Sequence, residues 1–153
     1  MGLRHQGRII AFQTLYRYEF TRENTEDLLD FSWLDEKYRQ KVNEETLLFA
    51  RLIICGCIEN IGELDSLIKK HLEHWDFKRL SRVDLANLRI SVYGLVFQEE
   101  IPATVTIDEA IDIAKEFGSP DSYRFINGVL DSIRKTILDT TSENPVNDDD
   151  DSV

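Results

Sequence analysis

The sequence has few of the features that mark membrane-bound, secreted or disulfide-stabilised proteins. No apolar run approaches the roughly 20 residues that a transmembrane helix needs, and the N-terminus lacks the apolar stretch of a secretory signal. Cys55 and Cys57 are too few for a disulfide framework and are badly spaced to bridge each other. A chain of 153 residues fits one domain, and we expect it to be cytoplasmic.

Signatures of catalysis are also absent from the sequence. It contains no glycine-rich phosphate loop, no His-Glu-x-x-His motif and no nucleophile elbow, so we predict no catalytic residues and no cofactor. Cys55 and Cys57 with His71 and His74 form a crude Cys-x-Cys and His-x-x-His set that resembles zinc ligands. Because the usual zinc spacings are missing, buried thiols and surface histidines are the preferred interpretation, and we predict no metal site.

The net charge of −11 argues at first sight against a nucleic-acid ligand, because binding phosphates requires Lys and Arg. The six acids of residues 139–153 account for −6 of it, which leaves −5 for residues 1–138. Within that body, residues 4–22 hold four arginines against one acid, and residues 69–89 hold six Lys or Arg against three acids. Two basic zones therefore remain in an acidic protein.

Apolar residues recur at steps of three and four along most of the chain, which is the period of amphipathic helices. We predict an all-α fold, a compact bundle of about seven helices, built as one body or as two packed halves that meet near residues 75–80. Residues 1–138 are expected to form this domain, and the acidic residues 139–153 to form a disordered tail.

Local signals predict several helix boundaries in the first two thirds of the chain. A first helix is expected over residues 3–20 and a third over 35–55, with a break near Gly56. Ser81 and Asp84 have capping-box spacing before a segment that is apolar on nearly every side. That segment, residues 83–97, is predicted to be the central buried helix.

The same kind of signal predicts the last two helices. Thr106 and Glu109 have capping-box spacing, and Gly118 is predicted to end the helix that they begin. Ser119 is the expected cap of the final helix, which contains Asn127–Gly128. Because glycine is unfavourable inside a helix, we attribute Gly128 to close packing against another helix.

A series of short motifs runs through the second half of the chain. They are Leu80–Asp84, Leu88–Leu95, Ile101–Pro102, Ile107–Ala110, Ala114–Lys115, Phe117–Gly118, Asp121–Ser122 and Phe125–Asp131. In order and spacing these motifs resemble the C-terminal half of the NusB transcription-antitermination family. The N-terminal Arg8, Ala11, Gln13, Leu15 and Tyr16 are similar to the family's first helix.

This resemblance implies an all-helical fold and a role in processive antitermination. Proteins of the family pair with NusE, a ribosomal protein of the small subunit, and the pair binds the boxA element of nascent RNA without catalysing a covalent step. The partners implied for this chain are boxA-like single-stranded RNA, NusE and the transcription elongation complex.

The resemblance also implies positions for the binding residues. The RNA-binding positions are Arg4, His5 and Arg8 with Tyr16 in the first helix, and Asp121, Ser122 and Phe125 at the start of the last helix. Tyr16 and Asp84 match positions near the partner surface. We expect folding to bring the cations of the first helix next to the start of the last helix, in one groove that holds unpaired ribonucleotides.

Each of these residues also has a structural interpretation. Arg4 and Arg8 fit ordinary helix-surface charge, Tyr16 and Phe125 fit the core, and Asp121 fits an acid that stabilises a helix start. These interpretations stay open at the level of the sequence.

Two other functions are compatible with the same sequence. Leu3, His5, Gln6 and Gly7 dilute the arginine cluster that the family has at its N-terminus, which leaves a NusB-like protein-interaction module with little RNA binding of its own as the alternative. A NusB-like domain also forms the front part of some RNA methyltransferases. The residues after Leu138 are too few to form a catalytic domain of that kind.

Overall fold

The computed structural model describes residues 2–74 and 76–143, and within these residues the fold is all helical. The described elements are α1 (Leu3–Thr21), α2 (Thr25–Leu29), α3 (Glu36–Lys41), α4 (Glu44–Glu59), α5 (Ile61–Lys70), a 3-10 turn (Phe77–Arg79), α6 (Arg82–Phe97), α7 (Ala103–Phe117) and α8 (Ser122–Glu143). The all-α prediction is confirmed. None of the described helices is long and apolar enough to cross a bilayer.

Helix α6 lies at the centre of the bundle, as its apolar sequence predicts. It packs against α1, α4, α5, α7 and α8, and the ten residues from Leu85 to Gly94 are all buried. The Ser81 hydroxyl caps α6 by accepting a hydrogen bond of 3.0 Å from the backbone N–H of Asp84. A helix that buries every face requires neighbours on every side.

The break predicted near Gly56 falls four residues later, at Asn60 between α4 and α5, and Gly56 itself does not interrupt the helix. Gly56 lies inside α4, where a Cβ would stand 2.2 Å from the ring of Tyr93. The missing side chain therefore lets α4 and α6 cross closely. The predicted third helix is instead divided after Lys41, where Asn43 caps α4 by accepting a 2.6 Å hydrogen bond from the N–H of Glu45.

The predicted cap at Thr106 is also wrong. Helix α7 begins at Ala103, directly after Pro102, and Thr106 is buried within it. A Cβ on Gly94 would lie 2.9 Å from Cγ2 of Thr106, so this threonine packs against α6 instead of capping a helix. Gly118 ends α7, as predicted.

Both ends of the last helix differ from the prediction. Helix α8 begins at Ser122, three residues after the predicted cap Ser119, and it continues to Glu143. The domain boundary predicted at residue 138 therefore falls inside α8. Residues 144–153, which hold most of the predicted tail, and Trp75, which the sequence places near the division of the bundle, lie outside the described residues.

Arg89 is a buried cation that joins α6 to two other helices. Its side chain is 4% exposed. It donates from Nε and Nη2 to the two carboxylate oxygens of Asp65 in α5, at 2.9 and 2.8 Å, and from Nη1 to Glu19 in α1, at 2.8 Å. Burial lowers the pKa of the guanidinium, but hydrogen bonds to Asp65 and Glu19 offset this, and the net direction is upward.

We predict that Arg89→Met lowers the free energy of unfolding by roughly 3 kcal/mol, because removing one partner of a buried ion pair leaves its counter-charges without compensation. Urea unfolding followed by circular dichroism measures the loss. Arg82→Met is the matched control, because Arg82 is half exposed and lies 3.8 Å from the same Glu19. Its expected cost is under about 1 kcal/mol, and equal losses in the two variants would contradict the structural role of Arg89.

Candidate functional site

The start of α8 meets the start of α6 in a pocket of about 260 Å³. Asp84, Asp121, Ser122 and Phe125 all line it, together with Arg79. The structure therefore brings together four of the residues that the resemblance implies. Two helix starts place these residues together. Ser81 caps the start of α6, and the turn after Gly118 precedes the start of α8.

A network of serines shapes this pocket. Ser122 is buried, and its hydroxyl accepts a 3.0 Å hydrogen bond from the backbone N–H of Ser119. Burial raises the pKa of Asp84, although hydrogen bonding to Ser122 and Ser81 lowers it in part. Oδ1 of Asp84 is buried and has no hydrogen-bond partner among the described residues.

The carboxylate of Asp121 stands at the rim of the pocket. It is 87% exposed, and its Oδ1 lies 3.7 Å from Nη1 of Arg124 one turn later. Phe125 is half-buried and packs against the core. The core interpretation of Phe125 and its position in the pocket are therefore compatible.

The first-helix cations lie in a different place. The guanidinium groups of Arg4 and Arg8 are 5.6 and 5.5 Å from the ring centre of Phe49 in α4. His5 contacts the carboxylate of Glu109 in α7, and Arg8 lies 4.0 Å from it. Arg8 is buried, which lowers the pKa of its guanidinium, whereas Arg4 is exposed.

The two groups of residues are separated along α7. His5 lies opposite Glu109, and the ring of Phe12 lies 5.1 Å from that of Phe117, so α1 and α7 run in the same direction. Glu109 and Phe117 are eight residues apart in one helix, which corresponds to about 12 Å. The cations of α1 are therefore about two helical turns from the end of α7, which leads into α8, and they do not line its pocket. The single groove expected for these cations and the start of α8 is not formed.

Tyr16 occupies a third position, near the end of α1. It is 38% exposed, and its ring lies 5.0 Å from that of Phe20, which is 60% exposed. Both rings line a cleft of about 460 Å³ together with Trp33. Tyr16 thus contributes to an exposed aromatic surface, separate from the pocket at the start of α8.

Several residues beside the α8 pocket were not identified from the sequence. Arg79 lines the pocket itself, and His74, Arg124 and Gly128 line a neighbouring cleft that shares Phe125 with it. The second basic zone, residues 69–89, is the signal that points to His74 and Arg79, whereas no comparable signal points to Arg124 or Gly128.

The sulfur and imidazole groups of the zinc-like set have other roles. The thiol of Cys57 is buried, which raises its pKa well above the ordinary value. Its sulfur lies 3.6 Å from the carbonyl oxygen of Arg89. His71 bonds through Nδ1 to the carbonyl of Leu67 and through Nε2 to the hydroxyl of Thr136. Within the described part of the chain, no group of three or more His, Cys, Asp or Glu is arranged to hold a metal ion.

We predict that Arg8→Gln lowers the free energy of unfolding by roughly 1 to 3 kcal/mol, because it removes a buried group that joins α1 to Phe49 and Glu109. Arg4→Gln is the matched control, since Arg4 sits over the same ring but is exposed, and its expected change is within about 0.5 kcal/mol. Thermal or urea unfolding measures both. A larger loss for Arg4 than for Arg8 would contradict this division of roles.

Comparison with known proteins identifies the relatives of this chain. The NusB family model matches residues 5–135. The protein named transcription antitermination protein NusB in Treponema denticola is 46% identical to this chain, over 86% of this chain and 95% of the relative. The corresponding protein of Treponema pallidum (strain Nichols) is 44% identical over 87% and 93%.

Solved structures agree with this relationship. A crystal form of T. maritima NusB is 42% identical, with a TM-score of 0.77 over 86% of this chain and 90% of the other. A structure described as antitermination factors NusB and NusE in complex with double-stranded RNA is 28% identical, with a TM-score of 0.77 over 88% and 97%. The family resemblance of the sequence is confirmed, and the chain belongs to the NusB family.

Proposed function

We propose that this chain is a transcription antitermination factor that binds boxA-like RNA together with NusE and catalyses no covalent step. The observation that carries the proposal is its similarity, over most of its length, to proteins named for antitermination. A solved relative, described as a complex with NusE and double-stranded RNA, supports the same pair of partners. We also propose that it acts in the cytoplasm, where bacterial transcripts are made.

The pocket at the start of α8 has the chemistry that RNA recognition needs. RNA is held through its phosphates by cations and through its unstacked bases by aromatic or guanidinium faces. Arg79 supplies a positive charge and Phe125 supplies a ring within the pocket, and Arg124, in the neighbouring cleft, adds a second charge close to Asp121. We therefore assign the RNA to this pocket, with Arg4 as a secondary phosphate contact and Arg8 as a residue that positions α1.

The partner surface is proposed to involve Asp84 and Tyr16. Asp84 is half-buried in the wall of the pocket, where its carboxylate offers an acceptor to a donor from NusE. The exposed rings of Tyr16 and Phe20 offer apolar area of the kind that protein interfaces bury. These two features lie on the first turn of α6 and the second half of α1.

The alternative, a protein-interaction module with little RNA binding, is favoured by two observations. The side chain of Arg8 is buried and is therefore not presented to RNA. The exposed carboxylate of Asp121 stands at the rim of the proposed RNA pocket, where it repels phosphate.

A titration of the purified chain with a labelled boxA-like oligonucleotide separates the two functions. It is run with and without NusE, with single-stranded and duplex RNA, across salt concentrations. An RNA-binding factor binds in the presence of NusE and weakens as salt rises, because phosphate contacts release counterions. Binding to NusE alone, with no RNA uptake at low salt, would support the interaction module.

We predict that Asp121→Asn binds the RNA about five-fold more tightly at low salt, since it removes about 1 kcal/mol of repulsion from a phosphate and releases Arg124 from its ion pair. Fluorescence anisotropy with NusE present measures the change, which should shrink as salt rises.

The matched control for this variant is Asp131→Asn. Asp131 lies on α8 and pairs with Lys135 at 3.2 Å, and it stands ten residues after Asp121, which directly precedes the helix, or about 15 Å along the helix axis. An equal gain in both variants would reflect only the net charge. A loss of affinity in Asp121→Asn would contradict the placement of RNA at the start of α8.

A further inference from the structure

Gly128 lies inside α8 at an exposed position, and nothing in the described fold requires a glycine there. No atom of the described residues lies within 4 Å of a Cβ built on Gly128, so the predicted close packing against another helix is wrong. Glycine inside a helix costs about 0.5 to 1 kcal/mol relative to alanine. At such a position, the missing side chain leaves the helix backbone open to the close approach of a ligand.

Gly128 faces a cleft of about 250 Å³ between the end of α5 and the first half of α8. His71, Glu73 and His74 line one side of this α5–α8 cleft, and Arg124 and Gly128 line the other. The bond of 3.0 Å between His71 and the hydroxyl of Thr136 ties the two sides together. The cleft is thus a formed feature of the fold.

The α5–α8 cleft is continuous with the pocket assigned above. Phe125 lines both of them, and Arg124 lies in the first turn of α8, in sequence between Gly128 and Asp121, the residue that precedes the helix. Ser122 and Gly128 are six residues apart, or about 9 Å along α8. A flexible polymeric ligand that occupies the pocket at the start of α8 can therefore continue into the cleft beside Gly128.

The segment that forms one side of the cleft, residues 69–79, also carries exposed cations. Lys69, Lys70, Lys78 and Arg79 are all exposed, and none of them forms an ion pair with another described residue. Lys69 lies over the ring of Phe77 at 4.9 Å. These four cations lie beside the cleft and outnumber the carboxylates of Glu73, which lines it, and Asp76, so this segment as a whole attracts a polyanion.

We propose that the α5–α8 cleft is a second RNA site that binds the nucleotides flanking those held at the start of α8. The ribose–phosphate backbone lies against α8 at Gly128, and Arg124, His74 and the cations of residues 69–79 contact the phosphates. This inference rests on the proposed function, which it extends from one pocket to a continuous path along α8.

The test replaces Gly128 by larger residues that occupy space in the cleft and are compatible with the helix. Gly128→Ala and Gly128→Gln are expected to raise the urea midpoint, since both residues favour a helix over glycine. With NusE present, Gly128→Gln should weaken the binding of a boxA-like RNA extended at both ends by roughly ten-fold, because the longer side chain holds the ribose–phosphate backbone away from α8. Gly62→Ala is the control, because a Cβ there also meets no described atom. It should raise the midpoint and leave RNA affinity unchanged.

RNA length separates this inference from the proposed function. A short oligonucleotide that covers only the boxA-like core should bind the wild-type chain and Gly128→Gln equally. If the wild-type complex with NusE binds neither oligonucleotide, the proposed function fails. If both bind but Gly128→Gln weakens neither, or if Gly128→Gln blocks NusE in the absence of RNA, the second RNA site is overturned and the proposed function stands.

Discussion

The arrangement of this bundle depends on one buried cation. Arg89 sits near the middle of α6 and is held between Asp65 of α5 and Glu19 of α1. A buried guanidinium is tolerated only when its charge is matched by well-placed acceptors, so α1, α5 and α6 can pack in few other ways. Asp84 lies five residues before Arg89 on the same helix. The ion pairs therefore also determine where the first turn of α6 meets the start of α8.

Charge in this protein is divided between structural and binding roles, and the net charge hides that division. Arg8 and Arg89 are buried and serve the fold, whereas Arg79, Arg124 and the lysines at the end of α5 remain exposed. An acidic protein can attract RNA when its free cations gather at one rim. The RNA path that we propose follows these exposed cations along α8, at a distance from the arginines of α1.

The apolar periodicity of the sequence is sufficient to predict the helical class and the central position of α6. The spacing of Ser81 and Asp84 predicts the cap. Glycines were harder, because a glycine inside a helix has the same local signature whatever surrounds it. Gly56 was predicted to end a helix but allows the ring of Tyr93 to approach, and Gly128 was predicted to pack closely but faces open space. The burial of Arg8 also depends on Phe49 and Glu109, whose proximity only the fold reveals.

The central claim is that RNA is held at the start of α8. Photo-cross-linking tests it most directly, with a boxA-like RNA that carries 4-thiouridine bound to the complex of this chain with NusE, and with the cross-linked peptides located by mass spectrometry. The account predicts cross-links within residues 119–128, with further ones in 71–79. Cross-links confined to the face of α4 around Phe49, with none in 119–128, would contradict it.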